Sequence, residues 1–132
     1  MSGIYLQGKN NIGIGNIDLI NDEFEVLLVD TSIYTPDLDL DEYQSDIPNA
    51  AVIAEKTLSS IDFSGAVFDA NDVVFASLES TQEVGAIVIL KNSGAYNTSP
   101  LVFINDSFTP VLPDGTDFTI VWDNGPNKIF KL

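Results

Sequence analysis

The segment VGAIVILKN, residues 84–92, limits what this chain can fold into more than any other stretch. Between Ala86 and Leu90 it runs five apolar residues without a charge, three of them β-branched. It opens with Gly85 and is too short to stand as a lone helix, so it reads as a strand covered on both faces. At ~3.3 Å per residue, roughly seven residues span ~23 Å, about the width of one small domain. Every other apolar segment is shorter or more broken by polar residues, which predicts that this one is the central strand.

The rest of the chain supplies partners for it. IDLINDEFEVLLVD (17–30) reads as two strand pieces around a turn at Asn21-Asp22, with Phe24 to Val29 the better strand. AVIAEKTL, IDF, AVF, VVFASL and LVFIN follow as short strands. Asp69-Ala70-Asn71-Asp72 and Pro113-Asp114-Gly115 are turns, with side chains that bond their own backbone or a proline that presets φ. In DFTIVWDNG, alternation puts Phe118, Ile120 and Trp122 on one face, and Asp123-Asn124-Gly125-Pro126 turns the chain into KIFKL as the last strand of a hairpin. One helix is expected in TPDLDLDEYQSDIP, where Asp39 and Glu42 have the spacing of a capping box, Leu40, Tyr43 and Ile47 share a face, and Pro48 stops it. Strands separated by turn signals at these intervals predict an all-β chain: an antiparallel β-sandwich, with the jelly roll among its variants, and one short helix. Residues 17–132 form the sandwich domain, and the glycine- and asparagine-rich residues 1–16 form an N-terminal arm or edge segment.

At 132 residues the chain is one domain by length and needs no disulfide or metal staple. Its balance of charge is the strongest compositional fact: twenty Asp plus Glu against five Lys, with neither Arg nor His, for a net charge of −15. Such a chain is repelled by nucleic-acid phosphate and by anionic membranes, so neither is expected as a partner. No segment has the length and apolarity to cross a bilayer and none resembles a leader, which predicts synthesis in the cytosol.

The same composition removes most chemistry. Without His or Cys there is no ordinary zinc site, cysteine nucleophile or Ser-His-Asp triad. Without Arg there is no bidentate phosphate clamp. Gly13 and Gly15 suggest a dinucleotide loop, but Asp18 stands where the third glycine belongs. Asp37, Asp39 and Asp41 alternate like the start of an EF-hand loop, yet Glu42 and Pro48 occupy the places of its glycine and its bidentate glutamate. A looser Ca²⁺ site there, or at Asp69, Asp72 and Asp106, stays open beside the plainer reading of turn residues. Paired carboxylates could serve glycoside hydrolysis, but spacing in sequence does not supply their separation. The expectation is a non-enzyme with no cofactor. Tyr5, Tyr34 and Tyr96 fall in loops or edges, where tyrosine favours contact with other proteins.

The ordered segments INDEFEVLLVDTSIYTPD, GAVFDANDVVF, VGAIVILKNSG and TIVWDNGPNKIFKL resemble small acidic virion proteins of tailed bacteriophages, in size and character the capsid decoration, or cement, proteins. The likeness covers about residues 17–132, and WDNGPNKIF is its most recognisable part. It implies a structural role on the outside of a capsid, with the major capsid protein as partner and a homo-oligomer, a trimer or a dimer, on lattice axes. It also implies synthesis in the host cytoplasm. A protein that binds only the assembled lattice stabilises it by mass action. Residues 1–16 lie outside the likeness, but a strand there could extend a neighbouring sheet. The candidate contacts with capsid or neighbour are Ile4, Tyr5, Leu6, Ile12, Ile14, Tyr34 and Tyr96, and removing residues 1–12 is expected to leave a folded domain that binds capsids less well. The alternatives are a tail or head–tail connector component, and a Ca²⁺-dependent or carbohydrate-binding module.

Overall fold

The uncharged run at 86–90 lies in β7 (Ala86–Lys91), the middle strand of a five-stranded sheet in the computed structural model, which describes residues 2–132. It is flanked by the next most apolar segments, β2 (Phe24–Val29) and β8 (Leu101–Asn105). The edges are β3 (Val52–Thr57), beside β2, and β1 (Ser2–Ile4), beside β8. All four pairings are antiparallel.

Side chains alternate along a strand, so this sheet has two apolar faces and builds two cores. Phe24, Val26, Leu28 and Ile89 belong to the first, and Leu27, Val29, Val88 and Leu90 to the second. A register shift between Ile89 and Leu90 lets the consecutive residues Val102 and Phe103 both join the first core.

Two smaller sheets cover the first face. One has the order β10-β5-β4, from β4 (Asp62–Ser64), β5 (Val67–Asp69) and β10 (Phe130–Lys131). The other pairs β6 (Val73–Phe75) with β9 (Phe118–Ile120). Phenylalanines join the layers: Phe68 meets Phe24 edge-on at 5.4 Å between ring centroids, and Phe130 stacks on Phe68 at 5.0 Å and on Phe103 at 5.5 Å. Pairs of this geometry add about 0.5–1.5 kcal/mol each beyond the area they bury. The second face is covered by Tyr5, which links β1 to helix α1 (Leu6–Gly13), and by loops that carry Tyr34, Ile47 and Ala51. The fold is therefore a mostly antiparallel, sandwich-like β structure with one short α-helix, as the sequence predicts.

The turns also lie where their chemistry places them. The Asp69–Asp72 turn joins β5 to β6, and Gly115 turns with φ +90° as its amide donates to the Leu78 carbonyl at 2.8 Å. The closing hairpin does not form. β9 pairs with β6 and β10 pairs with β5. After β9 the backbone N–H of Trp122 donates to Asp72 Oδ1 at 2.9 Å and its indole N–H to the Asn71 carbonyl at 3.0 Å, which holds the strand to the β5–β6 turn. The chain then returns so that Phe130 enters the phenylalanine stack.

The α-helix does not form at residues 39–47, where the capping pattern predicts it. Residues 39–47 are turns and a single 3₁₀ turn, Gln44–Asp46, because amides that a continuous helix would use go elsewhere, Tyr43 N–H to Asp46 Oδ2 and Gln44 N–H to Ser99 O. Asp37 Oδ1 accepts from the amides of Asp39 and Leu40, and Asp46 Oδ2 from those of Glu42 and Tyr43. Leu40 is exposed while Ile47 is buried, so the expected common face is not present.

α1 instead occupies residues read as an arm. Its own sequence, LQGKNNIG, favours a helix weakly. Tertiary contacts hold it: Tyr5 N–H donates to Val102 O at 3.0 Å, Leu6 N–H to Leu38 O at 2.8 Å, and the Asn11 carbonyl accepts from the amides of Asn16 and Ile17. Gly8 lets it lie directly on β8, where an added Cβ would stand 2.6 Å from the Leu101 carbonyl oxygen. Residues 2–13 are thus an edge strand and a packed helix, and the expectation that residues 1–12 are dispensable for folding does not fit the burial of Tyr5 in the second core or the packing of Ile4 and Ile12 against the first.

Candidate functional site

Burial separates the expected contact residues into two groups. Tyr5 and Tyr34 are core residues, with relative exposures of 0% and 2%, and this corrects their assignment as surface contacts. Their hydroxyls bond each other at 2.9 Å, and Tyr34 donates to Asp41 Oδ2 at 2.6 Å. The chain is satisfied internally, and burial raises both phenol pKa values well above their ordinary 10.0. The physical reason is that their rings fill the second face of the sheet while their polar ends find each other. Ile4 and Ile12 are half-buried against the first core. Leu6 and Ile14 are exposed at either end of α1, and Tyr96 is 58% exposed on a 3₁₀ turn, Tyr96–Thr98. The fold does not bring the seven candidates together into one patch.

The carboxylate groups read as possible Ca²⁺ sites are also distributed otherwise. Asp37 caps a turn, Asp41 accepts from Tyr34 and from its neighbour Asp37 N–H, and Asp72 holds Trp122. Among the described residues, no three acidic side chains converge closely enough to hold a metal ion.

The cleft with the most convergent polar chemistry lies where β2 and β3 meet the loop at 92–99, with a volume of about 340 Å³. Sheet pairing builds its floor. Glu25 lies opposite Thr57 and Leu27 lies opposite Glu55, so Glu25 and Glu55 are diagonal neighbours on one face, with Cα atoms about 7–8 Å apart. The loop builds its wall. Asn92 Nδ2 donates to Glu23 Oε2 and to Glu25 Oε1, both at 2.9 Å, which fixes the loop's root to β2. Asn92 Oδ1 accepts from Gly94 N–H at 2.8 Å, and Gly94 takes φ +94° there. Ser99 Oγ donates to Ala95 O at 2.7 Å and accepts from Ser93 N–H at 3.1 Å. Tyr96 is therefore presented by a loop closed on itself rather than by a loose one.

Gln44 lines this cleft and the smaller one beyond Tyr96. Its backbone N–H donates to Ser99 O at 2.9 Å, which anchors the residue at 7% exposure. Its side-chain amide bonds no group among the described residues, and neither polar atom is sealed from the surface, so the amide opens onto the clefts.

Electrostatically the floor is uncompensated. The Glu25 carboxyl is held above its usual pKa of 4.5, first by burial and then by the negative charges of Glu55 and Glu23. Lys56 and Lys91 alternate to the other face, where Lys56 donates to Val74 O at 2.5 Å and Lys91 pairs with Asp22 at 3.1 Å. The site offers acceptors, an amide and an aromatic wall. Its Ser99 hydroxyl is engaged with Ser93 and with the Ala95 carbonyl, and the two glutamates stand side by side on one floor.

Of these residues the sequence singled out Tyr96 alone. A signal for Glu25 was nevertheless present, since it is the one charge inside the apolar run FEVLLV. Glu55, Gln44 and Asn92 carry no such mark, because only strand pairing and the loop's return bring them to Glu25. In comparison with known proteins, the chain matches no family model and no curated protein.

Proposed function

We propose that this chain is a non-enzymatic virion structural protein, a capsid decoration protein that binds the outside of a major capsid protein lattice and stabilises it. The observation that carries the reading is the charge: −15 on 132 residues, carried by a rigid β scaffold whose reactive groups are few. An acidic protein is repelled by packaged DNA and suits the outer side of a shell. The resemblance to small phage virion proteins supports the same role. Binding selective for the assembled lattice stabilises the particle by RT ln(1 + c/Kd) per site, where c is the free concentration of the chain.

The test is direct. Purified chain is added to expanded capsids that lack it, and sedimentation followed by imaging reads occupancy and position. Added density on the outer surface, with a copy number matching the lattice, supports decoration. Copies confined to the tail or the portal vertex would move the protein to a connector role, and capsids that sediment without it would overturn the proposal.

A further inference from the structure

We propose that the cleft between the β2–β3 floor and the 92–99 loop is a socket for an arginine side chain of a protein partner. The inference deepens the decoration reading, on which the identity of the partner rests, while the chemistry of the socket stands on the cleft itself.

Three observations converge. Among the described residues no cation faces the two carboxylates that Glu25 and Glu55 put on one floor, and Glu55 has no hydrogen-bond partner. Gln44, with 7% exposure, opens an unbonded amide onto the same space, so a buried anchor already carries an acceptor that none of the described residues uses. Tyr96 supplies an exposed ring on a loop whose hydrogen bonds hold it in place.

The occupant follows from the spacing. Two carboxylates line this floor, and among the described residues no three acidic groups converge as a metal ion would need. A guanidinium is wide and planar and carries five donors, so it can fork onto a carboxylate, reach an amide oxygen and stack on an aromatic ring at once. An ammonium is a compact point charge and uses fewer of these features. This chain contains no arginine, so the side chain must come from a different protein, and a second copy does not qualify.

The experiment titrates N-acetyl-arginine methylamide into the full ¹⁵N-labelled chain and follows backbone and side-chain amides. The expected result is saturable shifts confined to the side-chain amides of Gln44 and Asn92 and to the backbone at 93–99. Glu55→Gln, at an exposed position, is expected to weaken binding about fivefold, and Tyr96→Ala about threefold. The neutral citrulline analogue should give no saturable shifts. Shifts spread over the whole acidic surface, equal shifts from citrulline, or no shifts at all would overturn the socket. Shifts at the same amides from N-acetylglucosamine in place of the guanidinium would overturn it in favour of a sugar site. Because this assay uses no capsid, its failure leaves the decoration reading standing, and failure on capsids leaves the socket standing.

Discussion

Replacing Gly8 by alanine is expected to destabilise this protein, against the ordinary rule for helices. Inside a helix the change gains about 0.8–1 kcal/mol, because alanine loses less backbone entropy on folding. Here the new Cβ would stand 2.6 Å from the Leu101 carbonyl oxygen and 3.3 Å from both Cα and O of Val102. Those atoms are backbone of β8, which is held between β7 and β1, so they cannot swing aside as a side chain would. Ordinary contact begins near 3.4 Å, so α1 must recede by about 0.8 Å, and Tyr5 at its start is fully buried. Overpacking of this kind costs about 1–3 kcal/mol and recession adds lost contacts, so the net is a loss of ~1–2 kcal/mol. For a domain of this size that lowers Tm by roughly 3–8 °C. Gly13, in the same helix, has nothing within 4 Å of an added Cβ, so Gly13→Ala should gain up to ~1 kcal/mol. Thermal melts of the two variants, read by circular dichroism, provide the comparison. A Gly8→Ala variant as stable as the parent, or a fall in both, would refute the close approach of α1 to β8.

Tyr34→Phe removes the hydroxyl between Tyr5 and Asp41, leaving both without that partner. Urea denaturation should show a loss of ~1–3 kcal/mol, and adding Tyr5→Phe should cost less than the sum of the two single changes. Acid should weaken the fold through Asp18, Asp30 and Asp114, whose carboxyls are held below their usual 3.8 chiefly by side-chain hydrogen bonds from Asn21, Ser32 and Thr116. A depressed pKa gives stability that is present above the unfolded value and lost as pH falls through the folded one. A plot of Tm against pH should therefore drop below about pH 4. A Tm flat from pH 5 to about pH 2.5 would contradict those bonds. Sodium chloride raised from about 10 mM to about 0.5 M should increase Tm, because it screens repulsion within a chain of net charge −15.

The large sheet was legible because its information is local. β2 and β8 coincide with the apolar runs FEVLLV and LVFIN, and the turns beside them carry residues that bond their own backbone. What escaped was set by partners distant in sequence. α1 has two glycines and two asparagines in eight residues and no apolar period, so its stability comes from the Leu38 and Val102 carbonyls and from β8 beneath it. The expected helix at 39–47 had the better pattern, and it fails because Asp46 takes the amide of Tyr43 and the distant Ser99 carbonyl takes that of Gln44. β10 was placed beside β9 by proximity in the chain, whereas the Phe68–Phe130–Phe103 stack decides its true partner.

The same distinction sorts the acidic residues, which composition alone treats as one class. Asp18, Asp30, Asp37, Asp46, Asp72 and Asp114 each accept from a backbone amide, so their negative charge is a by-product of fixing turns. Asparagine at these positions would keep an acceptor and much of the fold. Among the described residues Glu55 holds no backbone amide, and Glu25 accepts only from the Asn92 side chain while its charge is opposed by burial and by its neighbours. A carboxylate that does nothing for a turn and raises the energy of the adjacent one costs the isolated domain stability. Glutamine at position 25 should therefore stabilise the free protein near neutral pH, where the raised pKa acts against the charged form. If it stabilises the free chain and also weakens guanidinium binding, the charge at the floor serves recognition rather than folding. A variant less stable than the parent would instead assign Glu25 to the fold.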